Sequence, residues 1–80
     1  MRFVKFEELD AQFGIPGSKS TIWRKEAAKR FPRRCPVGAR YIWPSPVIES
    51  YARAIARGMS EEDATIVAER AREEIGGAGD

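Results

Sequence analysis

The sequence predicts a small, mainly α-helical fold with one β-hairpin and a helix at its C-terminal end. Three observations predict this fold class. Apolar residues recur at helical spacing in the segments 7–13, 46–57 and 61–75. Two short β-prone segments flank a glycine, and glycine or proline separates one element from the next. The 80 residues suffice for one small domain with a thin core.

The N-terminal part predicts a strand and then two helices joined by a short turn. Residues 2–6 alternate loosely and are rich in Phe and Val, which is typical of a short strand or an extended arm. A short helix follows over 7–13, and the apolar residues of its face are Phe6, Leu9 and Phe13. The glycines and proline of 14–17 end this helix, and Ser18 is a favourable N-cap for a second helix over 19–29. This arrangement is a helix-turn-helix.

A β-hairpin is predicted directly after the second helix. Pro32 ends that helix, and the β-prone segments 33–37 and 40–43 flank a turn that contains Gly38. Pro36 has no N–H to donate to a strand ladder, so we expect it on an edge strand. The hairpin has the layout of a wing, and its arginines are Arg33, Arg34 and Arg40.

Two further helices are predicted beyond the hairpin. Ser45 is the expected N-cap of the third helix, with Pro46 at its first position. Its apolar face consists of Val47, Ile48, Tyr51, Ala52 and Ile55. Ser60 is the expected N-cap of a fourth helix over 61–75. The apolar stripe of that helix consists of Ala64, Val67, Ala68, Ala71 and Ile75. Residues 76–80 are predicted as a disordered tail.

The residue types that the sequence lacks exclude most catalytic and metal sites. There is no His, which excludes a catalytic triad, a His base and a His-ligated metal. Cys35 is the single cysteine, which excludes an intramolecular disulfide and a cysteine zinc site. The glycines are too scattered for a phosphate-binding loop. We therefore expect a binding protein that is not an enzyme and that uses no cofactor or metal.

The net charge of +2 hides a division along the chain. Residues 1–58 carry a net charge of +7, and residues 59–80 carry a net charge of −5. The segment 19–40 holds eight Lys and Arg residues and only one acidic residue, Glu26. Such a basic patch is typical of a nucleic-acid surface. A solvated face with acidic neighbours from the tail explains the charge equally well, so charge by itself decides nothing.

The segment 18–24 reads Ser-Lys-Ser-Thr-Ile-Trp-Arg. It resembles the Ser-Arg-Ser-Thr-Ile-Tyr-Arg opening of the recognition helix in AlpA-like phage regulators and in excisionases that share their MerR-like winged-helix fold. Phe31-Pro32 resembles the Phe-Pro of that family, and the segment 37–40 resembles its wing turn. The residues that resemble the run into the family's third helix are Trp43, Ser45, Val47 and Tyr51. The resemblance covers residues 3–57.

The sequence departs from the family pattern at three places. Pro46 replaces the acidic residue after the cap serine, and Lys25 and Glu26 stand where many members have apolar residues. The acidic helix over 61–75 lies beyond the pattern. The resemblance thus implies a winged helix-turn-helix of the MerR/excisionase type over 1–58. A separate acidic amphipathic helix follows it within 59–75.

The resemblance implies sequence-specific binding to double-stranded DNA. We expect an excisionase, which is a recombination directionality factor that binds and bends attachment-site DNA so that an integrase favours excision. The alternative in the same class is an AlpA-like transcriptional regulator of a prophage or mobile element. A protein-interaction adaptor or antitoxin, acting through the helix 61–75, is the alternative of another class. Because no apolar run reaches ~18 residues, we expect no membrane contact and a cytoplasmic location in a bacterial or phage-infected cell.

The expected DNA contacts fall into three sets. On the second helix they are Ser18, Lys19, Ser20, Thr21, Trp23, Arg24 and Lys25. In the wing and its flanks they are Arg33, Arg34, Gly38 and Arg40. Lys29 and Arg30 are expected on the phosphate backbone. Arg24 is the candidate for a guanine, and Arg40 is the candidate for the minor groove.

Two further expectations concern the aromatic residues and the last helix. The predicted core residues around Trp43 are Phe3, Leu9, Ile22 and Tyr51, together with Phe6 and Phe13. Trp23 is expected to be partly exposed at the DNA face, with burial in the core as the alternative.

The helix 61–75 is expected to fold back on the core, because a small domain needs such contacts. The alternative is a head-to-tail contact of this acidic helix with the basic surface of a neighbouring subunit.

Overall fold

The computed structural model describes residues 2–37 and 40–78, and it is mainly helical with an antiparallel β-hairpin, as predicted. The seven elements in chain order are β1 (Phe3–Lys5), α1 (Phe6–Phe13), α2 (Lys19–Ala27), β2 (Cys35–Val37), β3 (Arg40–Pro44), α3 (Ser45–Ala56) and α4 (Glu61–Ala78). The turn predicted at Gly38 lies outside the described residues. Each element lies within about three residues of its predicted bounds.

The three strands form one antiparallel sheet in the order β1-β3-β2. In the hairpin, Pro36 pairs with Tyr41, and β2 is an edge strand, as proline requires. On the other side of β3, Val4 pairs with Trp43. The sequence predicts both partners of the hairpin but gives no signal that β1 joins the sheet. The added strand fixes the N-terminal segment against the hairpin.

The core centres on three aromatic residues. Trp43 is only 1% exposed, and its indole N–H donates to the carbonyl of Pro32 at 2.9 Å. The ring of Phe31 meets the rings of Trp43 and Tyr51 edge to face, with centroids 5.5 and 4.9 Å apart. Sequence analysis missed Phe31 as a core residue, because it lies in an irregular segment without periodicity. This cluster fixes the segment that connects α2 to the hairpin.

Phe3 was expected in the core, and that prediction is wrong. The side chains of β1 alternate, so Val4 is fully buried while Phe3 is 45% exposed. Phe6 and Phe13 are partly buried and pack against the core, and Leu9 and Ile22 are buried as predicted. Of the apolar face predicted for α3, Ile55 is exposed, and Ala54 is buried instead. The buried face of α3 is therefore rotated slightly from the face that the sequence spacing predicts.

The helix starts follow local hydrogen bonding, with one correction. The Oγ of Ser18 accepts from the backbone N–H of Thr21 at 3.2 Å, and the Oγ of Ser60 accepts from that of Asp63 at 3.1 Å, as expected of N-caps. The prediction of Ser45 as an N-cap is wrong. Ser45 is the first helical residue of α3, and Pro44 is the N-cap, without a side-chain cap bond. The N–H of Ser45 donates to the carbonyl of Arg2 at 2.9 Å.

The helix α4 folds back on the rest of the chain, as we expected, and packs against α3. Ala64 and Ala68 are fully buried in the same core as Ala54. The prediction of a disordered tail over 76–80 is wrong in part, because the helix continues through the two glycines to Ala78. Glycine costs about 1 kcal/mol per residue in a helix, which does not stop a helix that is already propagating. Residues 79 and 80 lie outside the described part of the chain.

Candidate nucleic-acid interface

The helix α2 presents a continuous face to solvent. Its exposed residues at i, i+3, i+4 and i+7 are Ser20, Trp23, Arg24 and Ala27. On the opposite side Ile22 is buried in the core and holds the helix in place. The exposed stripe is therefore set by the 3.6-residue period of the helix and by the burial of one isoleucine. This stripe carries a hydroxyl, an indole and a guanidinium on a rigid element.

Trp23 and Arg34 join the exposed stripe to the segment that leads into the hairpin. Trp23 is 42% exposed, and the Cζ of Arg34 lies 5.3 Å from the centroid of its ring. A guanidinium at this distance is attracted by the negative face of the ring. The backbone N–H of Arg34 also donates to the Oε2 of Glu26 at 3.4 Å. The interface therefore includes Arg34 beside α2, which the separation of 11 residues from Trp23 does not indicate.

The first turn of α2 is ordered by its own side chains. The hydroxyls of Ser18 and Thr21 lie 3.1 Å apart and share a hydrogen bond, in addition to the cap bond of Ser18. Lys19 is exposed, and its Nζ lies 5.7 Å from the centroid of the Phe6 ring on α1. Ser18 and Thr21 thus stabilise the helix start. Lys19 and Ser20 are also exposed in this turn.

The basic residues after Arg24 face a different neighbour, the acidic helix α4. The Nζ of Lys25 lies 2.7 Å from the Oε2 of Glu61, with both side chains about two-thirds buried. The Nε of Arg30 lies 3.7 Å from the Oε1 of Glu62 in a more exposed pair. The sequence places both cations in the expected DNA surface. The structure instead pairs both cations with glutamates of α4.

A second cluster binds α4 to the segment before β2. The backbone N–H of Arg33 donates to the Oε1 of Glu69 at 3.0 Å, and the Nε of Arg72 donates to the Oε2 of Glu69 at 2.9 Å. Arg72 also donates to the carbonyl of Arg33, and its Nη1 lies 3.9 Å from the Sγ of Cys35. Sequence analysis missed this cluster. Its one local signal is the Glu69–Arg72 spacing of three on a helix.

The remaining expected contacts lie around this arrangement. Lys29 is exposed and has a left-handed backbone with φ 61°, so α2 ends before it, at Ala27. The side chain of Arg33 is also exposed. Gly38 lies outside the described residues, and Arg40 is the first residue of β3. The structure thus brings Ser20, Trp23, Arg24 and Arg34 together, whereas Lys25 and Arg30 pair with α4.

Three further observations concern a reactive thiol, a metal site and a membrane span. Cys35 is a free, partly buried thiol. Within residues 2–37 and 40–78, no three His, Cys, Asp or Glu side chains come together as a metal site. None of the helices described here is long and apolar enough to cross a membrane.

Comparison with models of protein families, with curated proteins and with solved structures found no match for this chain. The interpretation of the interface therefore depends on its own residues and geometry. Those residues are the exposed stripe of α2, the Trp23–Arg34 pair and the hairpin that follows.

Proposed function

We propose that this chain is a non-enzymatic, sequence-specific DNA-binding protein with a winged helix-turn-helix, in which α2 is the recognition helix. The observation that carries the proposal is the exposed stripe of α2. Arg24 lies on it, and in the described part of the chain it has no ion-pair partner. A rigid helix face with an uncompensated guanidinium and a neighbouring cation is what a major-groove contact requires.

In this proposal each residue of the stripe has a distinct role. Arg24 donates two parallel hydrogen bonds to O6 and N7 of a guanine, which discriminates against other bases by about 1–3 kcal/mol. Ser20 and the N-terminal end of α2 bind a phosphate. Lys19 approaches the same phosphate backbone. Trp23 and Arg34 pack against a deoxyribose and the adjacent phosphate, because the ring offers an apolar face and the guanidinium offers charge.

The β2–β3 hairpin serves as the wing in this proposal. It follows α2 after a short connection that the core fixes through Phe31 and Trp43. Arg40, at the start of β3, then enters the minor groove beside the site that α2 reads. Lys29 and Arg33 are exposed near the end of α2, and they contribute to the phosphate contacts.

Within this class we propose the role of an excisionase that acts with an integrase in the cytoplasm. The basis is the resemblance of residues 18–24 and of the hairpin to that family. An AlpA-like regulator of transcription would use the same surface, so the two roles differ in what they do to DNA. Gel shifts with the binding site at permuted positions separate them. A strong bend supports the excisionase role, and unbent DNA with a single promoter-proximal site supports the regulator.

The adaptor alternative depends on an available apolar stripe on the fourth helix. In the structure Ala64 and Ala68 of that stripe are fully buried against α3. This burial favours DNA binding over an adaptor that uses the stripe.

Fluorescence anisotropy with a labelled random duplex tests DNA binding itself. With about five phosphate contacts, the logarithm of the binding constant should fall with the logarithm of salt concentration with a slope near −4 to −5. An affinity that does not depend on salt would contradict the proposal.

A further inference from the structure

The connector 28–34, between the end of α2 and the start of β2, contains no helix or strand. Side chains from other elements bind its backbone instead. The hydroxyl of Tyr51 on α3 donates to the carbonyl of Arg30 at 3.0 Å. The indole N–H of Trp43 on β3 donates to the carbonyl of Pro32 at 2.9 Å. These bonds fix the first part of the connector, and α4 holds the part that leads into the hairpin.

Two side chains of α4 bind both polar groups of the Arg33 backbone. The Oε1 of Glu69 accepts from the N–H of Arg33 at 3.0 Å, and Arg72 donates to the carbonyl of the same residue. The Nε of Arg72 also donates to the Oε2 of Glu69 at 2.9 Å, with both side chains about three-quarters buried. Glu69 and Arg72 therefore form a clamp on Arg33, and each of them orients the other through a charge-assisted bond.

The clamp projects from a part of α4 that is fixed in the core. Ala68 directly precedes Glu69 and lies one helical turn before Arg72. It is fully buried, and α4 packs against α3. Because residues three apart on a helix share a face, Glu69 and Arg72 project to the same side. The core thus supplies a rigid base for the clamp.

The residues that follow Arg33 belong to the proposed DNA surface. Arg34 comes next, and its Cζ lies 5.3 Å from the centroid of the Trp23 ring on α2. Cys35 then begins β2. The N–H of Arg34 also donates to Glu26, but this bond is long, at 3.4 Å. The clamp therefore holds the chain directly before the Trp23–Arg34 pair and the hairpin.

We propose that Glu69 and Arg72 are positioning residues for DNA binding. By holding Arg33, they keep Arg34 over Trp23 and start the hairpin at a fixed place beside α2. This inference rests on the proposed function, because it names residues that order the surface in advance. A surface that is already ordered loses less conformational freedom when it binds, so the clamp strengthens DNA binding without touching DNA.

Acrylamide quenching of tryptophan fluorescence tests the positioning without DNA. Trp43 is 1% exposed and Trp23 is 42% exposed, so this neutral quencher reports mainly on Trp23. Arg72→Gln should raise the quenching constant, as Arg34→Ala should, because the guanidinium no longer covers the ring. The control Arg70→Gln removes the same charge from an exposed position of α4, outside the ion pairs of the described residues, and should leave the constant unchanged.

Anisotropy titrations with a random duplex test the effect on DNA binding. Arg72→Gln should weaken binding by about 2- to 12-fold, the range for ordering one long side chain at an interface. Arg72→Lys keeps the charge but lacks the planar fork that bonds Glu69 and Arg33 together, so it should behave like Arg72→Gln. Combined with Arg34→Ala, Arg72→Gln should weaken binding by less than the product of the two single effects, because Arg72 acts through Arg34.

Equal losses of affinity in Arg72→Gln and Arg70→Gln would overturn the inference, because Arg72 would then act only by its charge. So would wild-type affinity in Arg72→Lys, or an unchanged quenching constant in Arg72→Gln. A wild type that does not bind the duplex would overturn the proposed function, whereas a wild type that binds, with Arg72→Gln unaffected, would overturn only this inference.

Circular dichroism establishes that each variant is folded. If Arg72→Gln does not fold, Glu69→Gln takes its place, since it keeps an acceptor for the N–H of Arg33 and removes the ion pair with Arg72. The same rise in quenching is expected from this variant, and an unchanged constant would overturn the inference.

Discussion

The Nζ of Lys25 lies 2.7 Å from the Oε2 of Glu61, which is 36 residues further along the chain. This ion pair divides the basic segment 19–40 between two environments. Lys25 and Arg30 face the acidic helix α4, while Arg24 faces solvent beside Trp23. The pair therefore restricts the proposed DNA surface to one side of α2. It also makes α4 a neighbour of that surface that affects its charge.

Removing the acidic partners on α4 should strengthen non-specific DNA binding. In the double variant Glu61→Gln and Glu62→Gln, Lys25 and Arg30 lose their compensating charges and become available to phosphates. The salt slope of binding should steepen by up to about 1.8 for two added contacts. Anisotropy titrations with a random duplex measure this slope.

The matched control for this variant is the double change Glu73→Gln and Glu74→Gln. It removes the same charge from exposed positions of the same helix, outside the ion pairs found in the described residues. If both double variants steepen the salt slope equally, the effect comes from the net charge of the protein and not from the release of Lys25 and Arg30.

DNA binding should change the fluorescence of Trp23 and leave that of Trp43 unaffected. The first indole is 42% exposed on the proposed surface, and the second is 1% exposed in the core. The emission of the wild type should therefore shift when duplex is added, and the shift should disappear in Trp23→Phe. Thermal unfolding of Trp23→Phe should stay close to that of the wild type, since the side chain is outside the core. If the emission of Trp23→Phe still shifts when duplex is added, DNA does not bind at Trp23.

Stability should fall at high pH because of Tyr51. Burial raises the pKa of Tyr51 to about 12, and the negative charge of Glu61 adds to this rise. A raised pKa means that the folded state holds the proton more tightly than the unfolded state does. The contribution is present below the unfolded pKa of 10.0 and is lost between pH 10.0 and about 12. The loss amounts to about 2–3 kcal/mol of unfolding free energy for two pKa units.

Urea unfolding of the wild type and of Tyr51→Phe measures this contribution. The hydroxyl of Tyr51 donates to the carbonyl of Arg30 at 3.0 Å, so Tyr51→Phe should cost about 0.5–1.5 kcal/mol at neutral pH. The variant should also lose part of the decline above pH 10.0, because the group that titrates is gone. If the unfolding free energy falls equally in both proteins, the fall is caused by titratable groups other than Tyr51.

Acid should weaken the start of α1. The Oε1 of Glu8 accepts from the backbone N–H of Lys5 at 3.0 Å, and this bond, with Arg2 nearby, lowers the pKa of Glu8 from 4.5. The stabilisation is present above pH 4.5 and is lost as the pH falls through the lowered pKa. The protection of the amides of residues 5–9 against hydrogen exchange, relative to the unfolded chain at the same pH, should therefore fall in acid more in the wild type than in Glu8→Gln. An equal loss of protection in both proteins would show that Glu8 does not stabilise the helix start.

The sequence predicts those features that depend on neighbouring residues. Ser18 and Ser60 cap their helices because each bond spans three residues. Pro36 lies on an edge strand because proline donates no hydrogen bond. Both features are set within one element, so the pattern of residue types is enough.

The features that depend on distant contacts are not predicted. Ser45 resembles an N-cap, but the helix begins one residue earlier than expected, and the N–H of Ser45 donates to the distant carbonyl of Arg2. Phe31 has no periodic neighbours, yet it packs between Trp43 and Tyr51. The same holds for the candidate site. The exposure of Trp23 could be predicted from the sequence. The ion pair of Lys25 with α4 could not, because it depends on how α4 folds back.

Arg24 and Lys25 are adjacent, so replacing each by Ala provides the most direct test of the proposed surface. Both changes remove one positive charge from α2, but only Arg24 lies on the exposed stripe. Anisotropy titrations against the specific site and against single-base variants of it compare the two. Arg24→Ala should weaken specific binding by about 5- to 150-fold and lose discrimination at one base, while Lys25→Ala should stay near the wild type. Equal losses in both variants, or none in Arg24→Ala, would contradict the account.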